Sequence, residues 1–289
     1  MRRARAMLIA SMVIFGTIGY FTNFMSISSG EKALYRALMG LVMLGGYLLV
    51  TRQKLPLRQM KPMLPLLMLS GVAMGFNWIL LFEAYDNTTI TVATLSYYFA
   101  PVIVMLVCPL IFREKMTTRQ VICFVMSTVG LVLITVFSPE KGKNVNPLLG
   151  IAFGLGAAVL YATVILLNKF IKGVDGIHRT IIQFGAAVVT LIPYVALTSG
   201  VTLNTLDTRG WIFLVILGVV HTGVAYCLYF SSLKELPGQK AAILSYIDPL
   251  VAVVVSVTLL HEALDLPWQV VGGALILGFT LWNELPRKT

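Results

Sequence analysis

Ten apolar runs, each about 20 residues long and nearly free of charge, occupy most of this 289-residue sequence. At a rise of about 1.5 Å per residue, such a run reaches the roughly 30 Å of a bilayer's hydrocarbon core. Lipid offers backbone N–H and C=O groups no partner, so each run must satisfy its own as a helix. The runs fall near Ala6–Ser26, Ala33–Val50, Met63–Ala84, Ile90–Phe112, Arg119–Phe137, Leu148–Phe170, Ile177–Leu197, Gly210–Ser231, Ala241–Leu260 and Leu266–Trp282. Only short loops and tails remain, with no stretch able to fold as a separate soluble domain. Charged residues make up 12% of the chain, against roughly 25% in soluble domains, which is too few to cover a water-facing surface. The apolar part of the N-terminal segment MRRARAMLIASMVIFGTIGYF is too long for a typical signal-peptide h-region and continues through Tyr20, Thr22 and Asn23 without a clear A-x-A cleavage site, so it reads as an uncleaved first span.

The net charge of +10 is distributed in the way that membrane topology demands. With the N-terminus inside, five of the 22 Lys and Arg residues (Lys32, Arg36, Lys141, Lys143 and Arg209) fall outside and the other 17 inside. The positive-inside rule therefore puts both termini in the cytoplasm and supports an even number of spans. No basic stripe interleaved with aromatics lies outside the apolar runs, which argues against a nucleic-acid partner. Cys108, Cys123 and Cys227 lie in or beside apolar runs without metal-ligand spacing and read as small buried hydrophobes.

An internal repeat follows the same division. LSYYFAPVIVMLVCPLIFREK holds Pro101 and, thirteen residues on, Glu114; LSYIDPLVAVVVSVTLLHEAL holds Pro249 and Glu262 at the same spacing. Both pairs are 148 residues apart. The expected fold is all-α and integral to the membrane: ten helices as two five-helix repeats, residues 1–138 and 147–285. Five crossings begin and end on opposite sides, so the second copy enters inverted. Inverted repeats place a solute site at their interface near the midplane, with alternating access by rocking.

The paired P–x12–E segments, the Gly-rich sixth run GIAFGLGAAVLYA and the small-residue tenth run VVGGALILGF resemble the EamA repeat of the drug/metabolite transporter superfamily over essentially the whole chain. Members similar in size are of the YddG-like aromatic amino-acid exporter and threonine/homoserine exporter types. The resemblance implies a basket of helices around a central cavity, lined largely by spans 1, 3, 4, 6, 8 and 9, and a small-molecule solute moved without a cofactor.

Pro101 and Pro249 sit mid-span and deprive the carbonyls of Tyr97 and Ser245 of their i→i−4 partners, which predicts a pair of kinks. They are read as hinges, with static kinks as the alternative. Asp248 lies about eight residues into the ninth span, roughly 12 Å deep. It shares a face with Ala241, Ser245 and Ala252; a carboxylate at that depth is functional by default, the alternative being a neutral Asp hydrogen-bonded across helices for structure. His221, mid-span beside Gly218 and Ala225, is either a satisfied core residue or, with Asp248, one end of a proton relay. Arg36 and Glu83, at similar depth near the outer face, either pair with each other or grip a solute's carboxylate and amine separately. Tyr97, Tyr98 and Tyr246, with Tyr20, Trp78, Tyr161 and Tyr226, place amphipathic rings near mid-span, where the interfacial belt does not explain them; they either line a cavity for an aromatic or amphipathic solute or pack between helices. Asn77 is a further polar wall residue.

Several chemistries lack their residues. HEALD at His261–Asp265 has Asp where a zinc motif needs its second His, and no P-loop is present. Gly150–Gly154 is a GxxxG packing signal. The expectation is a secondary transporter of small polar metabolites, exporting amino acids or related compounds across a bacterial inner membrane, with protons as a candidate coupling ion and a monomeric or homodimeric state. One alternative is uptake of a choline-like amine held by cation–π contacts; the other is a membrane enzyme or lipid-processing protein, for which no nucleophile–base or metal constellation is visible.

Overall fold

The computed structural model describes residues 2–112, 117–137, 146–233, 235–236, 241, 244–262 and 267–285. Glu114 and the basic residues Arg113, Lys115, Lys141, Lys143, Lys234, Lys240, Arg287 and Lys288 lie outside the described residues, as does Asp265. The rest form ten helical segments in chain order: α1 (Arg2–Thr22), α2 (Ser29–Val50), α3 (Leu57–Asn87), α4 (Ile90–Tyr97 and Ala100–Phe112), α5 (Thr118–Phe137), α6 (Pro147–Phe170), α7 (Gly176–Leu197), α8 (Thr208–Leu233), α9 (Ile247–Leu259) and α10 (Trp268–Glu284). Seven stretches, those of α1 to α4 and α6 to α8, are long and apolar enough to cross a bilayer. The chain is an all-α integral membrane protein.

Polar residues at the helix starts set where the helices begin. Ser28 and Glu31 form a reciprocal capping box on α2. Asp207 Oδ1 accepts from Gly210 N at 2.7 Å, capping α8, and Asn146 does the same for α6. The start of α4 is capped twice. Thr89 Oγ1 accepts from Val92 N at 3.2 Å, and Glu262, from beyond the end of α9, accepts from Ile90 N at 3.0 Å. Ser256 also donates to the Glu262 carboxylate. In the second repeat, then, the glutamate of the P–x12–E pattern is a helix cap that ties α9 to α4.

Contacts between loops reproduce the alternation of a serial bundle. At one end Ser26 donates to Thr205 O, Ser28 meets Ser199, Glu31 accepts from Thr202 N at 2.6 Å, and Lys32 pairs with Asp86 at 3.2 Å. At the opposite end Ala4 and Leu8 pack with Leu236 and Ala241, and Met60 and Leu67 pack with Ile171 and Val174. A large apolar core joins α2, α3, α7 and α8 around Leu44, Phe82, Phe184 and Leu217. The outside is apolar too: Val42, Leu110, Val189 and Val254 are exposed, the arrangement for a solvent of acyl chains. Gly150 and Gly154 act as packing residues: a Cβ at either would come within 3 Å of Thr88 or Ser96, so α6 lies directly on the α3–α4 corner.

Two spans are interrupted at equivalent places. The helical ladder breaks at Tyr98–Phe99 in α4 and at Tyr246 before α9, each three residues ahead of a proline at 101 or 249. Tyr98 (φ −70°, ψ 5°) and Tyr246 (φ −70°, ψ −6°) share one backbone conformation, 148 residues apart. Both interruptions fall within three residues of the prolines that remove a ladder N–H. Two further irregularities carry no proline. α1 breaks at Thr17, and α8 widens into a π turn over Val219–Val224.

Candidate functional site: a charged, tyrosine-lined chamber

The interrupted helices enclose a chamber of about 120 Å³ lined by residues of α1, α2, α3, α4, α6, α8 and α9. On its wall lie Arg36, Asn77, Trp78, Tyr85, Tyr97, Tyr98, Tyr161, Tyr226 and Asp248. A wider vestibule of about 320 Å³ adjoins it and shares Phe15, Met74, Tyr98, Tyr161, Tyr226 and Asp248. The vestibule runs toward the end of the bundle that holds the start of α7 and the end of α8, past Asn168, Arg179, Gln183 and Leu233.

The two charges in the chamber are each held by a neutral partner. Arg36 is 4% exposed; its Nε donates to Thr222 Oγ1 at 3.2 Å and its guanidinium lies 4.6 Å from the centroid of Trp78. Thr222 is presented by the π turn, its own hydroxyl donating five residues back to Leu217 O at 2.9 Å. Asp248 Oδ2 accepts from the Tyr98 hydroxyl at 2.6 Å, a bond that joins the two interrupted helices. Behind Asp248, a Cβ at Gly16 would stand 2.5 Å from the Asp248 carbonyl, so only glycine lets α1 approach α9 at its break. Asn77 Nδ2 donates to Ala157 O at 2.6 Å, which fixes α3 against α6.

The residues expected from the sequence separate into two groups. Arg36, Asn77, Tyr97, Tyr98 and Asp248 meet at the chamber, as do Trp78, Tyr161 and Tyr226. Glu83, His221, Tyr246 and Tyr20 are not on its wall. Glu83 is two residues from both Leu81 and Tyr85, which line the chamber; at 100° per residue it points about 200° away. Among the described residues Arg36 makes no ion pair with Glu83; the outer pair is Lys32 with Asp86, one turn nearer the surface. His221 is buried with Nε2 at 2.8 Å from Thr17 Oγ1 and Nδ1 at 3.2 Å from Ile216 O. That is the satisfied core histidine, and it clasps the α1 break to the π turn instead of meeting Asp248. Tyr246 is buried at the α9 break. Tyr20 sits in an outer cluster with Phe24, Phe213 and Arg209. Thr222, Tyr85 and Arg179 carry no pattern in the sequence that would have marked them.

With this geometry in view, the matches to known proteins can be placed. The EamA-like transporter family model matches residues 3–136 and again 148–283. The chain belongs to the EamA-like transporter family. It carries two EamA-like repeats that divide between α5 and α6. A Bacillus subtilis protein named "uncharacterized transporter YxxF" is 30% identical over 93% of this chain and 85% of its own length. An Archaeoglobus fulgidus protein named as an uncharacterized transporter is 29% identical over 98% of both chains. One crystal structure superposes with a TM-score of 0.65 over 96% of this chain and 94% of its own, at 18% identity, and so shares the fold. The protein is thus a membrane transporter of the EamA type.

Proposed function

We propose that this EamA-type transporter moves a small zwitterion of the amino-acid class by alternating access, exporting it across a bacterial inner membrane. One observation carries the reading: Arg36 and Asp248 line one chamber, with opposite charges, yet each is bonded to a hydroxyl and not to the other. Unpaired charges removed from water cost several kcal/mol each, and a solute carrying both complements cancels both at once. Arg36 is the fork for the carboxylate and Asp248 the seat for the amine, with Tyr97, Tyr161, Tyr226 and Trp78 as the surrounding aromatic wall. A quaternary amine would suit the tyrosines but leaves Arg36 without a counter-charge.

The breaks at Tyr98 and Tyr246 serve as hinges where the α4 and α9 ladders are already open. The vestibule runs toward the end where the chain starts, cytoplasmic by the positive-inside rule, while hydrogen bonds among Glu31, Thr202, Lys32 and Asp86 lace the other end. A cytosolic solute therefore meets an open approach. Proton coupling falls to Asp248, the chamber's carboxylate.

Counterflow in proteoliposomes tests the reading, with labelled amino acids set against labelled quaternary amines. Amino acids should exchange and quaternary amines should not. Arg36→Ala should cut amino-acid flux about 100-fold, the loss of charge-assisted hydrogen bonds in a dry site, and spare decarboxylated analogues. Equal loss for both solute types would reduce Arg36 to a packing residue on Trp78 and Thr222.

A further inference from the structure

Among the described residues α3 is the longest helical stretch, 31 residues from Leu57 to Asn87. At about 1.5 Å per residue it reaches about 46 Å, well beyond the roughly 30 Å of hydrocarbon. Its ends therefore stand at the depth of the lipid headgroups, and the overhang at its start carries Arg58 and Lys61. There a groove of about 420 Å³ opens between α3 and α7, lined by Leu57, Arg58, Met60, Lys61, Leu64 and Ile182. Arg58 and Lys61 are both exposed and three residues apart, so they share a helix face. Among the described residues neither forms an ion pair. Arg52, Lys54, Arg58 and Lys61 follow one another with no Asp or Glu anywhere between Glu31 and Glu83. The adjoining α6–α7 loop sets one acid, Asp175, against Lys172 and Arg179.

Beyond Leu64 and Ile182 the same helix faces stay apolar and open. On α3 the next residue is Met68, 38% exposed; on α7 come Gly185 and then Val189, 66% exposed. A Cβ at Gly185 would meet nothing within 4 Å, so this glycine leaves an unfilled strip along α7. We propose that the groove binds one anionic glycerophospholipid of the cytoplasmic leaflet. Its phosphate lies between Arg58 and Lys61, and one acyl chain runs past Leu64 and Ile182 over Gly185. Anionic headgroups are drawn to basic residues at the membrane surface, and the positive-inside rule makes this end cytoplasmic. A free anion would have no use for the apolar strip, and a neutral lipid none for two cations without counter-charges. The lipid touches both α3 and α7, whose backbones already press together at Gly71 and Gln183, and so braces the start of both helices whichever solute the chamber takes.

Native mass spectrometry of the full-length protein tests the site, with phosphatidylglycerol or phosphatidylcholine of the same acyl chains titrated into detergent. The first bound lipid should half-saturate at about tenfold lower phosphatidylglycerol than phosphatidylcholine. Arg58→Gln with Lys61→Gln should erase that preference. Arg2→Gln with Arg3→Gln, which removes two exposed charges from the same side of the membrane, should leave it within about twofold. Gly185→Leu fills the strip and should weaken phosphatidylglycerol about fivefold with the charges intact. Excess inorganic phosphate should not displace the lipid. Equal loss of preference in the two charge variants would make it a property of the whole basic face and overturn the groove. Unchanged binding in the Gly185 variant, or displacement by phosphate, would overturn it as well, since the acyl chain would then have no seat there.

Discussion

α4 and α9 occupy equivalent places in the two repeats, break at equivalent residues and carry equivalent prolines, yet among the described residues only α9 of the two brings a charge to the chamber. The position before Pro249 is Asp248; the position before Pro101 is Ala100, fully buried among Phe99, Val102, Met105 and Cys123. The tyrosine three residues before each proline is likewise put to different use. Tyr98 reaches across to Asp248, whereas Tyr246 is buried away from the chamber. Backbone geometry is therefore shared by the repeats and chemistry is not. Duplication supplied two helix breaks on a common scaffold, and a single carboxylate, held by the opposite repeat's tyrosine, lines the chamber at the seam between them.

Placing an acid in the other repeat should break this comparison most severely. Ala100→Asp introduces a carboxylate into an apolar cluster of Phe99, Val102, Met105 and Cys123, and a buried charge without a charged partner costs about 3–5 kcal/mol. The expected result is a large fall in thermal stability and in yield of folded protein, read by melting in detergent. A stable variant with a second functional acid would mean that the two breaks face equivalent environments. Asp248→Asn should act on flux instead. The amide oxygen still accepts from Tyr98, so melting should barely move, while amino-acid transport falls about 10- to 100-fold with loss of a charged contact. If Asp248 carries the coupled proton, the pH dependence of the residual flux should also flatten. Unchanged flux with an unchanged pH profile would remove Asp248 from the transport cycle.

Which parts of this were legible in the sequence follows from what one-dimensional patterns can encode. Span number, the duplication and both kinks follow from hydropathy, the P–x12–E spacing and proline's missing N–H. Glu262 was visible as part of a pattern, but its task as the cap of α4 needed two helix ends to be seen side by side. Depth was readable where rotation was not. Arg36 and Glu83 lie at similar depth, but the phase of α3 turns Glu83 away and leaves Asp86 for Lys32. The partner of Arg36 was hidden for another reason. Thr222 is aimed by a π turn, which has no composition signature, and the same turn commits His221 to Thr17 and not to Asp248. Arg179 falls inside the seventh run and counts only among the cytoplasmic charges, because its place on the vestibule wall depends on which helices face it.

The smallest effect gives the sharpest comparison, since it separates two tyrosines of identical backbone conformation. Tyr98→Phe removes the hydroxyl that, among the described residues, bonds Asp248 from the other repeat, at 2.6 Å. The chamber adjoins a wider vestibule from which water can replace part of that bond, so the loss should be well below that of a sealed buried pair. A weakening of amino-acid affinity by about fivefold is expected, near 1 kcal/mol, with little change in maximal flux. Tyr246→Phe, the same chemical change at the equivalent break, should leave affinity within about twofold, because Tyr246 lines neither the chamber nor the vestibule. Binding isotherms on the two variants decide the matter side by side. Equal shifts would mean that both breaks hold the carboxylate's surroundings alike, and the asymmetry between the repeats would then rest on Asp248 alone.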